Sequence, residues 1–268
     1  MITWTRTLII FICMVACQNF AGAGDDSYLS EPYTTRIWET LKTDQKNFYT
    51  PRRLLRLGVT FGIGGIMANT DIDDNIQDFY QEDARSSTTD DFASVAKTFG
   101  DVRYLIPLSL LAAGLPEIIP ESSATSSIGK WGRLTSRAYL AGSPPMLIMQ
   151  SATGASRPDE SDDDSRWKPF NDSNGVSGHA FVGAVPFLSA ARIKSNHLLR
   201  YGLYAASTLS AWSRVNNDYH YTSQAMLGWF MAWEAVGAVS ENNTNNQKLR
   251  VSPIFLTEGV GIQFFKHF

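Results

Sequence analysis

The chain has 268 residues, of which 44% are hydrophobic, and it carries a formal net charge of −3 at pH 7. This length allows one sizeable core or at most two small domains, and the hydrophobic fraction is ordinary for a globular protein. The near balance of charge gives no electrostatic basis for nucleic-acid binding, so no nucleic-acid partner is expected.

Residues 1–23 are typical of a signal peptide. Arg6 is the only charged residue before Asp25, residues 8–16 form a short apolar run, and residues 21–23 offer a small-residue cleavage site. Cleavage after Ala23 would remove both cysteines, which leaves no disulfide or thiol chemistry in the mature chain. We therefore expect an exported protein that is periplasmic or associated with the cell envelope.

Two alternatives remain for this segment. Residues 14–17 form an imperfect lipobox, and lipid on Cys17 would tether the protein to a membrane and give peripheral membrane association. A plain transmembrane anchor is disfavoured, because the apolar run is shorter than the roughly 20 residues that a span needs.

The rest of the chain predicts an all-α fold over residues 24–250. Residues 24–50 are polar and mixed, which predicts an extended arm or a loose helix, and Pro144–Pro145 should break or kink a later helix. Loops are expected at 116–129 and 158–175. Helical patterns cover 53–67, 72–83, 91–99, 101–115, 130–150, 178–193, 197–213 and 218–238.

The tail, residues 251–268, predicts a short β-hairpin. Apolar residues alternate from Val260 to Phe268, and Glu258–Gly259 supplies a turn.

Two acidic stretches resemble ion sites without matching them. Asp71, Asp73, Asn75 and Glu82 follow the spacing of a calcium loop, but Ile76 occupies its glycine position. We interpret them as surface carboxylates on a helix. The run from Asp159 to Asp164 is interpreted as a solvated loop, with a cation site or a filter against anionic substrates as alternatives.

Three short stretches carry the residues of a phosphoryl-transfer site. They are Arg157–Pro158, Ser177–Gly178–His179, and Ser213–Arg214 followed by His220. Arginine binds phosphate oxygens bidentately, while histidine can act as a nucleophile or as a proton donor near neutral pH. An apolar pattern begins just after His179, which places the second stretch at a helix N-terminus, where free N–H groups favour phosphate.

The three stretches resemble the motifs of the type 2 phosphatidic acid phosphatase superfamily, which includes bacterial nonspecific acid phosphatases and vanadium haloperoxidases. Its pattern is Lys, six residues, Arg-Pro; then Pro-Ser-Gly-His; then Ser-Arg, five residues, His, three residues, Asp. Gln150, Val176 and Gln224 stand where the pattern has lysine, proline and the final aspartate. The resemblance covers residues 150–238.

The resemblance implies a helical bundle and a metal-independent phosphatase without a cofactor. It implies that His220 is the nucleophile that forms a phosphohistidine, and that His179 is the general acid and later the base. Gln224 would hold the far ring nitrogen of His220, but it cannot supply negative charge. The substrate would be a phosphomonoester or a pyrophosphate, including lipid-linked ones. The phosphate-binding residues would be Arg157, Ser177, Gly178, Arg214 and Gln150.

Two further hypotheses stay open. In the first, favoured by the three departures from the pattern, the chain is a weak or inactive phosphate-ester-binding protein of the envelope. In the second, it retains vanadate, as the haloperoxidases of the superfamily do. Aromatic residues near the motifs could form an apolar wall for a lipid tail or belong to the core; they are Trp167, Phe170, Trp212 and Tyr219.

Overall fold

The computed structural model describes residues 33–119, 122–160, 164–245, 250–256 and 259–265. The signal peptide and the lipobox predicted at residues 1–23 lie outside these ranges. The described helices are α1 Tyr33–Phe48, α2 Pro51–Ala68, α3 Ile72–Phe79, α4 Ser87–Ala96, α5 Val102–Ile118, α6 Ser123–Thr153, α7 Gly178–Ile193, α8 His197–Ala206, α9 Leu209–Asn216 and α10 Thr222–Asn245. A π-helical turn, Tyr80–Ala84, follows α3, and a 3-10 turn, Lys97–Gly100, follows α4.

The all-α class is confirmed, since the described elements between Tyr33 and Asn245 are helical. Beyond them, strands β1 Arg250–Leu256 and β2 Gly259–Phe265 pair antiparallel, with Arg250 opposite Phe265 and Leu256 opposite Gly259. Among the described helices, none is both long enough and apolar enough to cross a bilayer.

Helix α10 forms the centre of the bundle. It packs against α7, α6, α1 and α2, while α5 lies along α6. Leu227, Met231, Ala235 and Val239 occur at helical spacing on α10 and are almost completely buried. The same helix carries Gln224 in its first turn, so the core and the candidate site share one rigid element.

The helix that was predicted to break or kink at Pro144–Pro145 does not break there. It runs without interruption through both prolines, from Ser123 to Thr153, and its start shortens the loop that was expected at 116–129. A proline removes one backbone donor and crowds the preceding turn. Here the helix is held by packing against α5, α7 and α10, with Pro145 and Met146 buried, and this tertiary burial overrides the local preference.

The helix expected over 197–213 is two helices, α8 and α9. The hydroxyl groups of Ser207 and Thr208 donate hydrogen bonds to the carbonyls of Tyr204 and Ala205, at 2.6 and 2.8 Å. Such side-chain bonds compete with the regular helical ladder. The indole of Trp229 on α10 donates to the Ser207 hydroxyl at 2.8 Å, which stabilises the chain at this break.

Buried ion pairs join the N-terminal helices to the bundle. Glu234 on α10 is fully buried and accepts hydrogen bonds from Arg53, at 2.6 Å, and from Arg56, at 2.7 and 2.8 Å. Asp44 on α1 similarly binds Arg137 on α6, at 2.6 and 2.8 Å. Removing one partner of such a pair leaves the other charge buried and uncompensated.

We expect Glu234→Ala to lower the free energy of unfolding by about 3–5 kcal/mol, because the buried Arg53 would keep only the largely exposed Glu241 as its partner. Urea denaturation of both forms measures the difference. Glu39→Ala is the matched control, since Glu39 forms an exposed pair with Lys42 that should contribute less than about 1 kcal/mol. Equal, small effects of the two substitutions would contradict this account of the bundle.

Candidate active site

Gln224 joins the three stretches that the sequence singled out. Its side-chain Oε1 lies 2.7 Å from Nδ1 of His220, and its Nε2 donates to the carbonyl of Ser156 at 2.7 Å, directly before Arg157. Its own backbone carbonyl accepts a hydrogen bond from the Ser177 N–H at 2.9 Å. One fully buried residue therefore holds each stretch in place.

These contacts determine the tautomer of His220. The Ser156 carbonyl can only accept, so it must face the amide nitrogen of Gln224, which directs Oε1 toward the imidazole. Because Oε1 also only accepts, Nδ1 of His220 must carry the proton. The lone pair is then on Nε2, which is the form of histidine that can attack an electrophile.

Burial keeps this imidazole neutral. His220 is 4% exposed, and its desolvation lowers its pKa to about 3, against 6.5 for a free imidazole. The hydrogen bond that Nδ1 donates to Gln224 raises the pKa, while the positive charges of Arg214 and Arg157 lower it further. At neutral and mildly acidic pH the ring is therefore uncharged.

Arg214 supplies a buried positive charge beside this ring. Its side chain is on α9, is 8% exposed, and stacks on Tyr219, with the guanidinium carbon 4.3 Å from the ring centroid. Among the described residues no acceptor bonds its guanidinium, and its Nε is buried without a hydrogen-bond partner. Burial, followed by the repulsion from Arg157, lowers its pKa.

Arg157 lies in the loop after α6 and is half-buried. Its Nε donates to Oδ1 of Asn174 at 2.9 Å, and its backbone N–H donates to Glu160 at 2.8 Å. Asn174 also donates to Glu160, at 3.3 Å. Glu160 was expected in a solvated acidic loop, but it supports this arginine instead. Within the described part of the chain, the terminal nitrogens of Arg157 have no hydrogen-bond acceptor.

Ser177 is the N-cap of α7, at the helix N-terminus that the sequence predicts. Its Oγ accepts a hydrogen bond from the Ala180 N–H at 3.3 Å, and Val176 before it is completely buried. Helix α10 approaches closely here, because a Cβ on Gly228 would lie 2.2 Å from the Ser177 carbonyl oxygen. Gly178 follows as the first residue of α7, so the free N–H groups of the helix are at the site.

His179 is exposed, unlike His220, and lies at the start of α7. Partial desolvation lowers its pKa, the charge of Arg214 lowers it further, and Asp101 opposes them. Asp101 was missed in the sequence. It caps α5 and pairs with Arg103 at 2.6 Å, which lowers the pKa of Asp101 to about 2. The preceding Gly100 packs on His179, since a Cβ there would lie 3.2 Å from that of His179.

Gln150 forms a backbone contact that the sequence did not predict. Its Nε2 donates to the Val176 carbonyl at 2.7 Å, so one of its two amide hydrogens is committed to the backbone. The bond ties the end of α6 to the segment before α7. Lys168, in the loop after Arg157, pairs with Asp164 at 3.4 Å.

The prediction of a surface carboxylate is wrong for Asp73. It is fully buried, and its Oδ1 accepts a hydrogen bond from the Ser223 N–H at 2.9 Å, at the start of α10. Burial raises its pKa. The described residues contain no cluster of three or more His, Cys, Asp or Glu side chains arranged to hold a metal ion.

The four aromatic residues do not form a common wall. Trp167 packs against Phe61 with ring centroids 6.5 Å apart, and the indole of Trp212 donates to the Tyr80 hydroxyl at 2.8 Å. Phe170 is 80% exposed. Tyr219 alone among the four contacts a motif residue in the interactions described, through Arg214.

Comparisons of the chain with protein-family models, with curated proteins and with solved structures find no match.

The low pKa of His220 has a consequence for stability. Between about 6.5 and about 3 the unfolded imidazole binds a proton that the folded one does not. The stabilisation that comes from the neutral, buried ring is therefore present above pH 6.5 and is lost as the pH falls through this window.

We expect the unfolding free energy to fall more steeply for the wild type than for His220→Gln when the pH is lowered from about 6 to about 5. The two slopes should differ by up to about 1.4 kcal/mol per pH unit. Urea denaturation across this range measures both slopes. His197→Gln, at an exposed histidine on α8, should keep the wild-type slope. Parallel curves for wild type and His220→Gln would contradict the burial of a neutral ring.

Proposed function

We propose that the protein is a metal-independent phosphatase of the type 2 phosphatidic acid phosphatase superfamily. It would hydrolyse a phosphomonoester or a pyrophosphate, lipid-linked substrates included, through a phosphohistidine on His220. The observation that carries the proposal is the pairing of a neutral imidazole, with its lone pair on Nε2, and a buried arginine whose Nε has no hydrogen-bond partner.

The buried charge of Arg214 is evidence for an anionic ligand. An uncompensated buried guanidinium is energetically unfavourable, and a phosphate dianion would provide both charge and acceptor oxygens. The terminal nitrogens of Arg157 and the N–H groups at the start of α7 are further donors for its remaining oxygens. The space beside Gly178 is open to a ligand, because a Cβ built on Gly178 would contact only the amide nitrogen of Gln150, at 3.4 Å.

His220 would act as the nucleophile. Its Nε2 attacks phosphorus, the bond to the ester oxygen breaks, and the charge that develops on the ring is stabilised by the hydrogen bond from Nδ1 to Gln224. Because its pKa is about 3, His220 stays unprotonated where most imidazoles would be charged. The site is therefore suited to acidic conditions.

His179 would protonate the leaving oxygen. Once deprotonated, it would accept a proton from the water that attacks the phosphohistidine, which releases phosphate and restores His220. In the structure the pKa of His179 is lowered, mainly by desolvation. A bound phosphate dianion would raise it, so the acid form is favoured when the substrate is present.

We also propose export to the periplasm or envelope, with peripheral membrane association if Cys17 is lipidated. The support is the order of charged, apolar and small residues over 1–23.

We expect His220→Ala and His179→Ala each to lower phosphate release by at least about 10²-fold without unfolding the protein, because each removes a group that reacts. The assay uses mature protein in EDTA with a soluble aryl phosphate, a phosphatidate and a polyprenyl diphosphate, with and without vanadate. His197→Ala is the matched control, an exposed histidine outside the site. Wild-type rates in either site variant would exclude the proposed mechanism.

A second candidate is a phosphate-ester-binding protein of the envelope with little or no catalysis. The observations that favour it are the neutral side chains at positions 150 and 224, each already bonded to backbone. If this is correct, wild-type protein releases no phosphate while vanadate still raises its melting temperature, and Gln150→Lys with Gln224→Asp creates activity. Efficient turnover by the wild type would exclude it.

A further inference from the structure

We propose that α3 and the π-helical turn after it form a positioning element that aligns His220 and Arg214, with Gln77 as its central residue. This inference rests on the proposed function, because it concerns the same site. Four side chains of this element lie on one helical face and hold the segment 212–223: Asp73, Gln77, Tyr80 and Gln81.

Gln77 holds the turn that precedes the nucleophile. Its Nε2 donates to Oδ1 of Asp218 at 2.6 Å, and Asp218 has a φ of 59°, in the left-handed region. This conformation is unfavourable for a residue with a Cβ and needs support from its surroundings. Asp218 is two residues before His220, so its backbone sets the direction in which the chain reaches the imidazole.

Asp73 holds the other side of the same segment. Its carboxylate accepts a hydrogen bond from the Ser223 N–H, one of the free donors in the first turn of α10. The next residue, Gln224, carries the acceptor for Nδ1 of His220. Gln77 and Asp73 therefore fix the nucleophile from the preceding turn and from the following helix.

The π-helical turn extends this contact to Arg214. The Tyr80 hydroxyl donates to Oδ1 of Asn216 at 3.0 Å, and Gln81 donates to the carbonyl of Val215 at 2.8 Å. These two residues directly follow Arg214. The Trp212 indole, two residues before Arg214, also donates to the Tyr80 hydroxyl at 2.8 Å, so the element bonds to the chain on both sides of the arginine and the histidine.

Burial indicates that these contacts do more than fill space. Asp73 and Gln77 are 0 and 4% exposed, and Asp73 Oδ2 and Gln77 Oε1 have no hydrogen-bond partner. Burying polar atoms without partners is unfavourable, and apolar side chains would occupy the same volume without that penalty. Polar groups at these positions form directional hydrogen bonds, which fix the orientation of the segment that carries His220.

The test uses Gln77→Ala and Gln77→Glu, with Asn75→Ala as the matched control, an exposed amide on the same helix. Gln77→Ala removes the hydrogen bond to Asp218, and we expect kcat to fall roughly tenfold with KM nearly unchanged. Gln77→Glu places a carboxylate against Asp218, and we expect a loss of roughly 10²-fold near neutral pH.

The pH dependence of Gln77→Glu separates positioning from general damage. The ionisable neighbours are Asp73 and Asp74 one turn earlier, Asp78 beside it and Asp218 opposite, all acids that raise the pKa of an introduced carboxyl. Once protonated, that carboxyl can donate to Asp218 as the amide did. Activity relative to wild type should therefore recover to within about threefold near pH 5, whereas Gln77→Ala should not recover.

A second readout keeps this inference separate from the proposed function. The chain has only four histidines, so ¹⁵N-histidine spectra can be assigned with single variants. We expect the Nδ1–H signal of His220 to shift in Gln77→Ala and to stay unchanged in Asn75→Ala. An unchanged signal, together with kcat within twofold of the control, would overturn the positioning role. Absence of phosphate release by folded wild type would contradict the proposed function alone, since the spectra still decide the role of Gln77.

Discussion

The candidate site depends on the three hydrogen bonds of Gln224. They join the loop before Arg157, the cap of α7 and the imidazole of His220, and the farthest of these partners is 68 residues from Gln224 in the chain. The donor and acceptor ends of one amide cannot be exchanged here, because one neighbour is a carbonyl that only accepts. The Ser156 carbonyl therefore fixes the orientation of the amide, and the amide determines which ring nitrogen of His220 carries the proton. The residue is fully buried on α10, which packs against α1, α2, α6 and α7, so the core holds it in position.

The site is electrostatically unfavourable by itself, and the rest of the bundle supports it. Two arginines and a neutral imidazole lie together, and burial lowers the pKa of both Arg214 and His220. Elsewhere the buried arginines are matched, Arg53 by Glu234 and Arg137 by Asp44. The contrast is informative, since the same fold that pairs its structural arginines leaves Arg214 without an acceptor among the described residues. Such an uncompensated charge is typical of a site that binds an anion.

The sequence predicted local features of the site well and its long-range contacts poorly. The helix N-terminus at Ser177–Gly178 follows from a short pattern, and α7 begins at Gly178. The helix predicted over 218–238 begins only at Thr222, so His220 lies before α10, although its Nδ1 is 2.7 Å from Oε1 of Gln224. The burial of Asp73 could not be predicted, because its partner Ser223 is 150 residues away. The uninterrupted α6 could not be predicted either, because packing against α5, α7 and α10 overrides the local effect of Pro144 and Pro145. The bond of Gln150 to Val176 likewise depends on how two segments meet in space.

The uncharged residues at positions 150 and 224 change the balance of the proposed reaction. A carboxylate at position 224 would raise the pKa of His220 and stabilise the positive ring that forms when it bonds to phosphorus. An amide gives up part of that stabilisation, but it leaves the ring neutral down to a pKa of about 3 and adds the donor that binds Ser156. A glutamine at position 150 removes a positive charge near a site that already carries Arg157 and Arg214, so each arginine is less destabilised by repulsion. In the proposed reaction, glutamines at these positions would therefore slow the phosphorylation of His220 and keep its imidazole unprotonated in acid.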